Sequence, residues 1–150
     1  LDSPLTLKYS DEERVKGKQV ISYDHVMLPR ERGEPVVNAL WTVPMEGWAK
    51  LNTDGSWTAD DGAGAGMVLR DSTDQIIFTS CRVLFSCRNA LEAELSACME
   101  GLSIAIQRTE LPVHVEMDSL QAVRMINDGA TDRSVLASLV EEIKHLRTLR

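Results

Sequence analysis

Three carboxylates stand where the chain is about to change character: Asp54 in "KLNTDGSW", Glu94 in "LEAEL" and Asp118 in "VEMDSL". Each has an ordinary job open to it. An Asp-Gly pair after alternating residues signals a hairpin, so Asp54 fits the first residue of a turn. Asp118 lies between a strand pattern and a helix pattern with Gln121 three residues on, the spacing of a helix N-cap and its reciprocal partner. Glu92 follows Asn89 by three and fits a capping box, which leaves Glu94, two residues further in, without a capping role. Brought together, the three carboxylates would repel one another unless a cation neutralised them, and an all-oxygen ligand set of high charge favours Mg²⁺ or Mn²⁺. Such a site supports phosphoryl transfer, in which two ions about 4 Å apart activate a water and stabilise the leaving oxygen.

The elements that would position them follow from periodicity. "WAKLNTD" alternates with period two, "GAGMVLRD" follows a polar loop, and "QIIFTSCRVL" follows the turn-like "DSTD", which together predict a three-stranded antiparallel meander. Leu91, Leu95, Cys98, Leu102 and Ala105 recur at three- and four-residue steps and make one apolar helical stripe. "PVHVEMD" reads as a fourth strand. "SLQAVRMIND", closed by Gly129, and "SVLASLVEEIKHLRTLR" read as two further helices. Strands, helix, strand, helix, helix is the order of a mixed α/β sheet with helices packed on it. If the strand ending at Asp54 lies parallel to the one ending at Asp118, both carboxylates emerge at one edge of the sheet, and a helix laid across it carries Glu94 to the same point.

Four segments, "LNTDGSW", "GAGAGMVLRDS", "LEAELSACMEGLSIA" and "VHVEMDSLQAVRMIN", occur in the order and spacing of a type 1 ribonuclease H-like domain. They most resemble the reverse-transcriptase-associated versions abundant in plant genomes, and the resemblance runs from about Trp48 to Arg150. It implies a five-stranded mixed sheet, three antiparallel strands then two parallel ones, flanked by helices. In this chain the fifth strand is expected to be missing, which would leave the edge of "PVHVEMD" unpaired. The resemblance further implies that Asp54, Glu94 and Asp118 are the catalytic, Mg²⁺- or Mn²⁺-binding acids, with Glu94 rather than Glu92 filling the glutamate position of the family's "AEL" motif. A fourth acid and a loop histidine of the family would lie past Arg150. The implied activity is metal-dependent endonucleolytic hydrolysis of the RNA strand of an RNA–DNA hybrid, with contacts to ribose 2′-hydroxyls marking the RNA. The rival reading is a retroelement-derived module that keeps the fold and binds nucleic acid or protein without turnover.

Composition narrows the field from the other side. With 150 residues, 43% of them hydrophobic, the chain holds enough apolar material for one domain, and no stretch approaches the roughly 18 consecutive apolar residues of a membrane span. Cys81, Cys87 and Cys98 are odd in number and lack C-x-x-C spacing, which argues against a disulfide framework or a structural zinc site and for an intracellular, nuclear or cytoplasmic, protein. The formal charge of −7, from 23 acidic and 16 basic residues, gives no basic footprint for gripping phosphates. A carboxylate cluster that needs cations before phosphate can approach makes that acidity partly intelligible. The opening Leu1 and the lack of a signal-peptide pattern suggest a piece of a longer chain.

Residues 1–40 mix charges with apolar residues at no sustained period and are predicted to be a largely disordered linker, ahead of a domain over 41–150. Gly62, Gly64 and Gly66 alternate, so on a strand they share one face and admit close approach of another backbone; entering a strand rather than a helix, they are no dinucleotide fingerprint. Trp41 and Trp48 are read as anchors of the linker and first strand to the core, His114 and His145 as structural, and Glu141 and Glu142 as a solvated helix face.

Overall fold

The computed structural model describes residues 6–7, 41–129 and 134–149. In chain order the elements are β1 (Thr6–Leu7), β2 (Ala49–Thr58), β3 (Gly62–Asp71), β4 (Ile76–Leu84), α1 (Ala90–Arg108), β5 (Val113–Glu116), α2 (Leu120–Asn127) and α3 (Ala137–Thr148). They form one mixed sheet in the order β1-β5-β2-β3-β4, in which β2, β3 and β4 are the predicted antiparallel meander and β5 runs parallel to β2.

Alternation decides which face each strand buries. Leu51 pairs with Leu69 on one side and Val115 on the other, and all three are buried on the face that α1 covers. Lys50, Asn52, Arg70, His114 and Glu116 occupy the opposite positions, on a face that no helix covers among the described residues. The predicted α1 stripe is the core seam: Leu95, Cys98, Leu102 and Ala105 are fully buried, and Leu91 packs against them from the periphery. α1 lies on β2 and β3, α3 stacks on α1, and α2 bridges the two helices. No described helix is long and apolar enough to cross a membrane.

Two predicted boundaries move for instructive reasons. The strand does not end at Asp54: β2 continues to Thr58, with Asp54 paired to Gly66, so the Asp-Gly pair is mid-strand and not a turn. The hairpin turns four residues later, where Thr58 Oγ1 accepts the Asp61 N–H at 2.9 Å and Gly62 takes the left-handed φ of 84°. Likewise α2 ends at Asn127 with an extended C-cap at Asp128, so Gly129 follows the stop without supplying a left-handed cap. The expected turn at "DSTD" is tightly built: the Asp71 carboxylate accepts from both the N–H and the hydroxyl of Thr73 and from the N–H of Gln75.

The edge expected to stand open is occupied. β1 pairs in parallel with β5, Thr6 opposite His114 and Leu7 opposite Val115, on the side of β5 away from β2. Apart from those two residues, the predicted linker over 1–40 lies outside the described residues.

Candidate metal centre

Local chemistry starts the helix that carries Glu94. Asn89 caps α1, its Oδ1 accepting the Glu92 N–H at 2.9 Å. Glu92 answers not to the cap residue but one position earlier, accepting the Arg88 N–H at 2.9 Å and the Arg88 guanidinium at 3.0 Å, and those bonds hold its carboxyl below the usual range. Trp57 Nε1 donates to the Cys87 carbonyl at 3.0 Å and so ties this helix start to β2. Glu92 is thereby committed to the cap region, as its spacing predicts. Glu94, two residues on, is buried.

Gly55 sets how close that helix comes. A Cβ there would stand 2.4 Å from both the Ala93 carbonyl carbon and the Glu94 nitrogen, so only glycine allows the first turns of α1 to lie against the β2 backbone. The Gly55 N–H then donates to the Glu94 carboxylate. The "DG" of the sequence is explained by helix-to-strand packing. Further along α1, Gly101 makes the second close contact, where a Cβ would sit 2.9 Å from Thr53 Cγ2.

Asp118 is also free of the job its spacing suggested. The N-cap of α2 is Ser119, whose hydroxyl accepts the Ala122 N–H at 3.2 Å. β5 makes its last pair with β2 at Asn52–Glu116, so the chain leaves the sheet just short of Asp54 and brings Asp118 alongside. One carboxylate oxygen from each of Asp54, Glu94 and Asp118 lies within 4.8 Å of the others. Asp54 is exposed, Asp118 half-buried and Glu94 buried.

The electrostatics are those of an uncompensated cluster. Burial first, then the charge of Asp118 and a hydrogen bond shared with it, and finally the charge of Asp54, push the Glu94 carboxyl up to about 8, against the lesser pull of the Gly55 N–H. Glu94 Oε2 is buried with no hydrogen-bond partner. A buried polar atom left unmatched is uncommon in a folded protein and leaves a place for a ligand atom. Three convergent carboxylates, with one buried oxygen of Glu94 unmatched, fit a hard divalent cation with room for water in its shell.

Sequence reasoning did not find the polar cluster on the helix-free face. Lys50 and Glu116 are both buried, with Nζ and Oε1 2.7 Å apart; Asn52 Nδ2 donates to the other Glu116 oxygen at 2.9 Å, and the Thr42 carbonyl accepts from Lys50 at 2.5 Å. Trp41 lies over it, its ring centroid 5.3 Å from Lys50 Nζ and 4.8 Å from the Arg70 guanidinium carbon. Lys50 and Asn52 read as ordinary solvent-facing strand residues, and only their register with β5 reveals the cluster.

Sheet order, helix placement and the positions of the three acids together define a ribonuclease H-like fold. A ribonuclease H1 recovered from compost by metagenomics superposes with a TM-score of 0.61 at 22% identity, covering 69% of this chain and 78% of its own. The foamy viral protease-reverse transcriptase, solved with an RNA/DNA hybrid, gives 0.61 at 20% identity over 86% of this chain and 20% of its own. The sequence profile of the reverse transcriptase-like family matches residues 52–148, and the chain belongs to that family. It is 36% identical over 101 residues to the Arabidopsis thaliana protein named "Putative ribonuclease H protein At1g65750", covering 67% of this chain and 16% of that relative's length.

Proposed function

We propose that the domain binds nucleic acid and, with Mg²⁺ or Mn²⁺ held by Asp54, Glu94 and Asp118, hydrolyses the RNA strand of RNA–DNA hybrids. The observation that carries the reading is the cluster itself: three carboxylate oxygens within 4.8 Å, from three separate elements, with one buried oxygen of Glu94 unmatched. A purely structural role would have supplied a cation, and the Gly55 N–H is the one donor beside the neighbouring acids. Two structures that share the fold, the foamy viral enzyme and the compost ribonuclease H1, are complexes with RNA/DNA hybrid, which supports the choice of ligand.

Divalent ions at such a site activate the attacking water and stabilise the leaving oxygen. The chain's own residues prepare for this in three ways. Gly55 brings Glu94 to β2 and fixes its carboxylate by a backbone N–H. Ser119 takes over the cap of α2 and leaves Asp118 to the cluster. With its carboxyl pushed up to about 8, Glu94 holds a proton below that pH and keeps the unloaded cluster from carrying a full third charge; holding a divalent ion would require that proton to leave for solvent.

The test is calorimetric titration of Mn²⁺ into the wild type and Asp54→Asn, alongside binding and cleavage of a labelled RNA–DNA hybrid and the matching DNA duplex. Mn²⁺ binding lost in Asp54→Asn, with metal-dependent cleavage confined to the RNA strand, is the expected result. Equal Mn²⁺ binding by both proteins, with no preference for hybrid over duplex and no cleavage, would replace this reading with that of a non-catalytic interaction module.

A further inference from the structure

The pairing of β2 with β5 stops one step before the acids. Asn52–Glu116 is the last pair of the parallel register, and Asp54 and Asp118 each come two residues further on. The register therefore does not hold the two carboxylates side by side, and their charges push them apart. Just behind them lies a clasp of side chains. Glu116 is buried on the helix-free face, and β2 takes both of its oxygens: Oε1 lies 2.7 Å from Lys50 Nζ, and Oε2 accepts from Asn52 Nδ2 at 2.9 Å. Lys50 and Asn52 share one face of β2, their backbones about 7 Å apart along the strand, and Asp54 is the next residue on that face. A grip from two such points fixes the stagger of β5 against β2 as well as the distance between them. The Asn52 amide is itself oriented, because Trp41 Nε1 donates to its Oδ1 at 3.4 Å and leaves Nδ2 to Glu116. Lys50 is braced in turn by the Thr42 carbonyl, which accepts from it.

Stability alone does not call for these residue types. Apolar side chains of similar volume would hold two strands together without the desolvation penalty of buried ions, whereas charge-assisted bonds fix distance and direction.

We propose that Asn52 and Glu116, braced by Lys50, are positioning residues of the metal centre: their clasp sets the spacing and stagger at which Asp118 comes up beside Asp54, and holds the two acids together against their repulsion until a cation binds. The inference rests on the reading of the three acids as a metal centre. The clasp residues act through the backbones of the two strands and not as ligands.

The test separates positioning from stability by measuring Mn²⁺ affinity calorimetrically alongside the metal-free Tm. Lys50→Met/Glu116→Leu exchanges the ion pair for apolar side chains, so its metal-free Tm should stay close to that of the wild type while its Mn²⁺ affinity falls tenfold or more. Asn52→Leu keeps the Lys50–Glu116 pair and loses only the second grip, and should weaken Mn²⁺ binding several-fold. Gly101→Ala, which crowds Thr53 from α1, is the stability control: its Tm should drop and its Mn²⁺ affinity should match the wild type. If both clasp variants bind Mn²⁺ as tightly as the wild type while Asp54→Asn does not bind it, the clasp serves the fold only and the proposal is overturned with the metal reading intact. A loss of affinity in Gly101→Ala equal to that of the clasp variants would overturn it as well, since any loosening of the fold would then suffice. A wild type that binds no Mn²⁺ would overturn the metal reading itself, and this inference with it.

Discussion

Two buried glutamates flank the same strand and have opposite surroundings. Glu116, on the helix-free face, has each carboxylate oxygen matched, one by Lys50 Nζ at 2.7 Å and the other by Asn52 Nδ2 at 2.9 Å. Glu94, on the helix-covered side, meets two more carboxylates, has one oxygen without a partner and carries its pKa up to about 8. Burial alone thus says little about a carboxylate's purpose; its partners do. A carboxylate that serves the fold is given a cation and a donor. Glu94 has the Gly55 N–H as a donor but no cation to match its charge, the surroundings expected of a carboxylate kept for a ligand.

The comparison breaks most severely at Lys50. Replacing it with Met removes the cation at 2.7 Å, leaves the buried Glu116 with Asn52 and with His114 Nε2 at 4.0 Å, and should lower unfolding free energy by about 3 kcal/mol, measured by urea denaturation. Lys50→Met/Glu116→Leu should regain most of that loss, because an apolar pair does not carry the desolvation penalty of the ions. If the single variant is as stable as wild type, the pair does not hold β5 to β2.

Gly55→Ala comes next, at about 1–3 kcal/mol for forcing a methyl into backbone contact. It should also weaken Mn²⁺ binding tenfold or more, since α1 must move and Glu94 moves with it. Gly101→Ala meets the flexible end of Thr53 rather than backbone, so it should cost stability while leaving Mn²⁺ affinity intact. Equal loss of metal binding in both would sever the link between Gly55 and the site.

At Glu94 the sign reverses. Its folded pKa of about 8 lies above the usual 4.5, so its contribution to stability is greatest below pH 4.5 and is lost as pH rises from about 4.5 to 8. Glu94→Gln should therefore stabilise the metal-free protein at pH 8 by on the order of 1 kcal/mol, after discount for partial solvent screening. The same substitution should abolish the rise in Tm with Mn²⁺, which in wild type should be larger at pH 8 than at pH 6. A wild-type stability that climbs between pH 5 and 8 in the absence of metal would contradict the repulsive cluster.

Ser119→Ala should have the smallest effect on this comparison, about 1 kcal/mol from the lost cap of α2. Mn²⁺ affinity should stay unchanged, because Asp118 was never the cap. Loss of binding on a par with Asp118→Asn would place Ser119 in the site.

What the sequence made legible is local. The meander, the α1 stripe and the order of elements are written in alternation and in three- and four-residue steps, and the structure carries them as predicted. Glu92 and Glu94 were separable because Asn89 stands three residues before one of them, and the structure commits Glu92 to that helix start. The misread features all depend on contacts between distant positions. Gly55 looked like a turn residue because nothing in "NTDGSW" says that Ala93 and Glu94 will rest on it. Asp118 looked like a cap because a carboxylate and a serine at neighbouring positions are equally good caps, and only the approach of Asp54 decides between them. Lys50 and Glu116, and likewise Thr6 and His114, are paired by sheet register across most of the chain, which no local period encodes.

The parallel pairing of β2 with β5 also has a consequence in time. β2, β3 and β4 are joined by short turns, whereas Ala49 meets Val113 only after the whole of the meander and α1 has been threaded between them. Long-range closures of this kind form late, since chain entropy must be lost before the contact returns anything. Pulse-labelled exchange during refolding should protect residues 62–84 before residues 113–116. Asp118 then reaches Asp54 and Glu94 after the folding nucleus has formed, so relief of their repulsion in Glu94→Gln should slow unfolding and leave the refolding rate nearly unchanged.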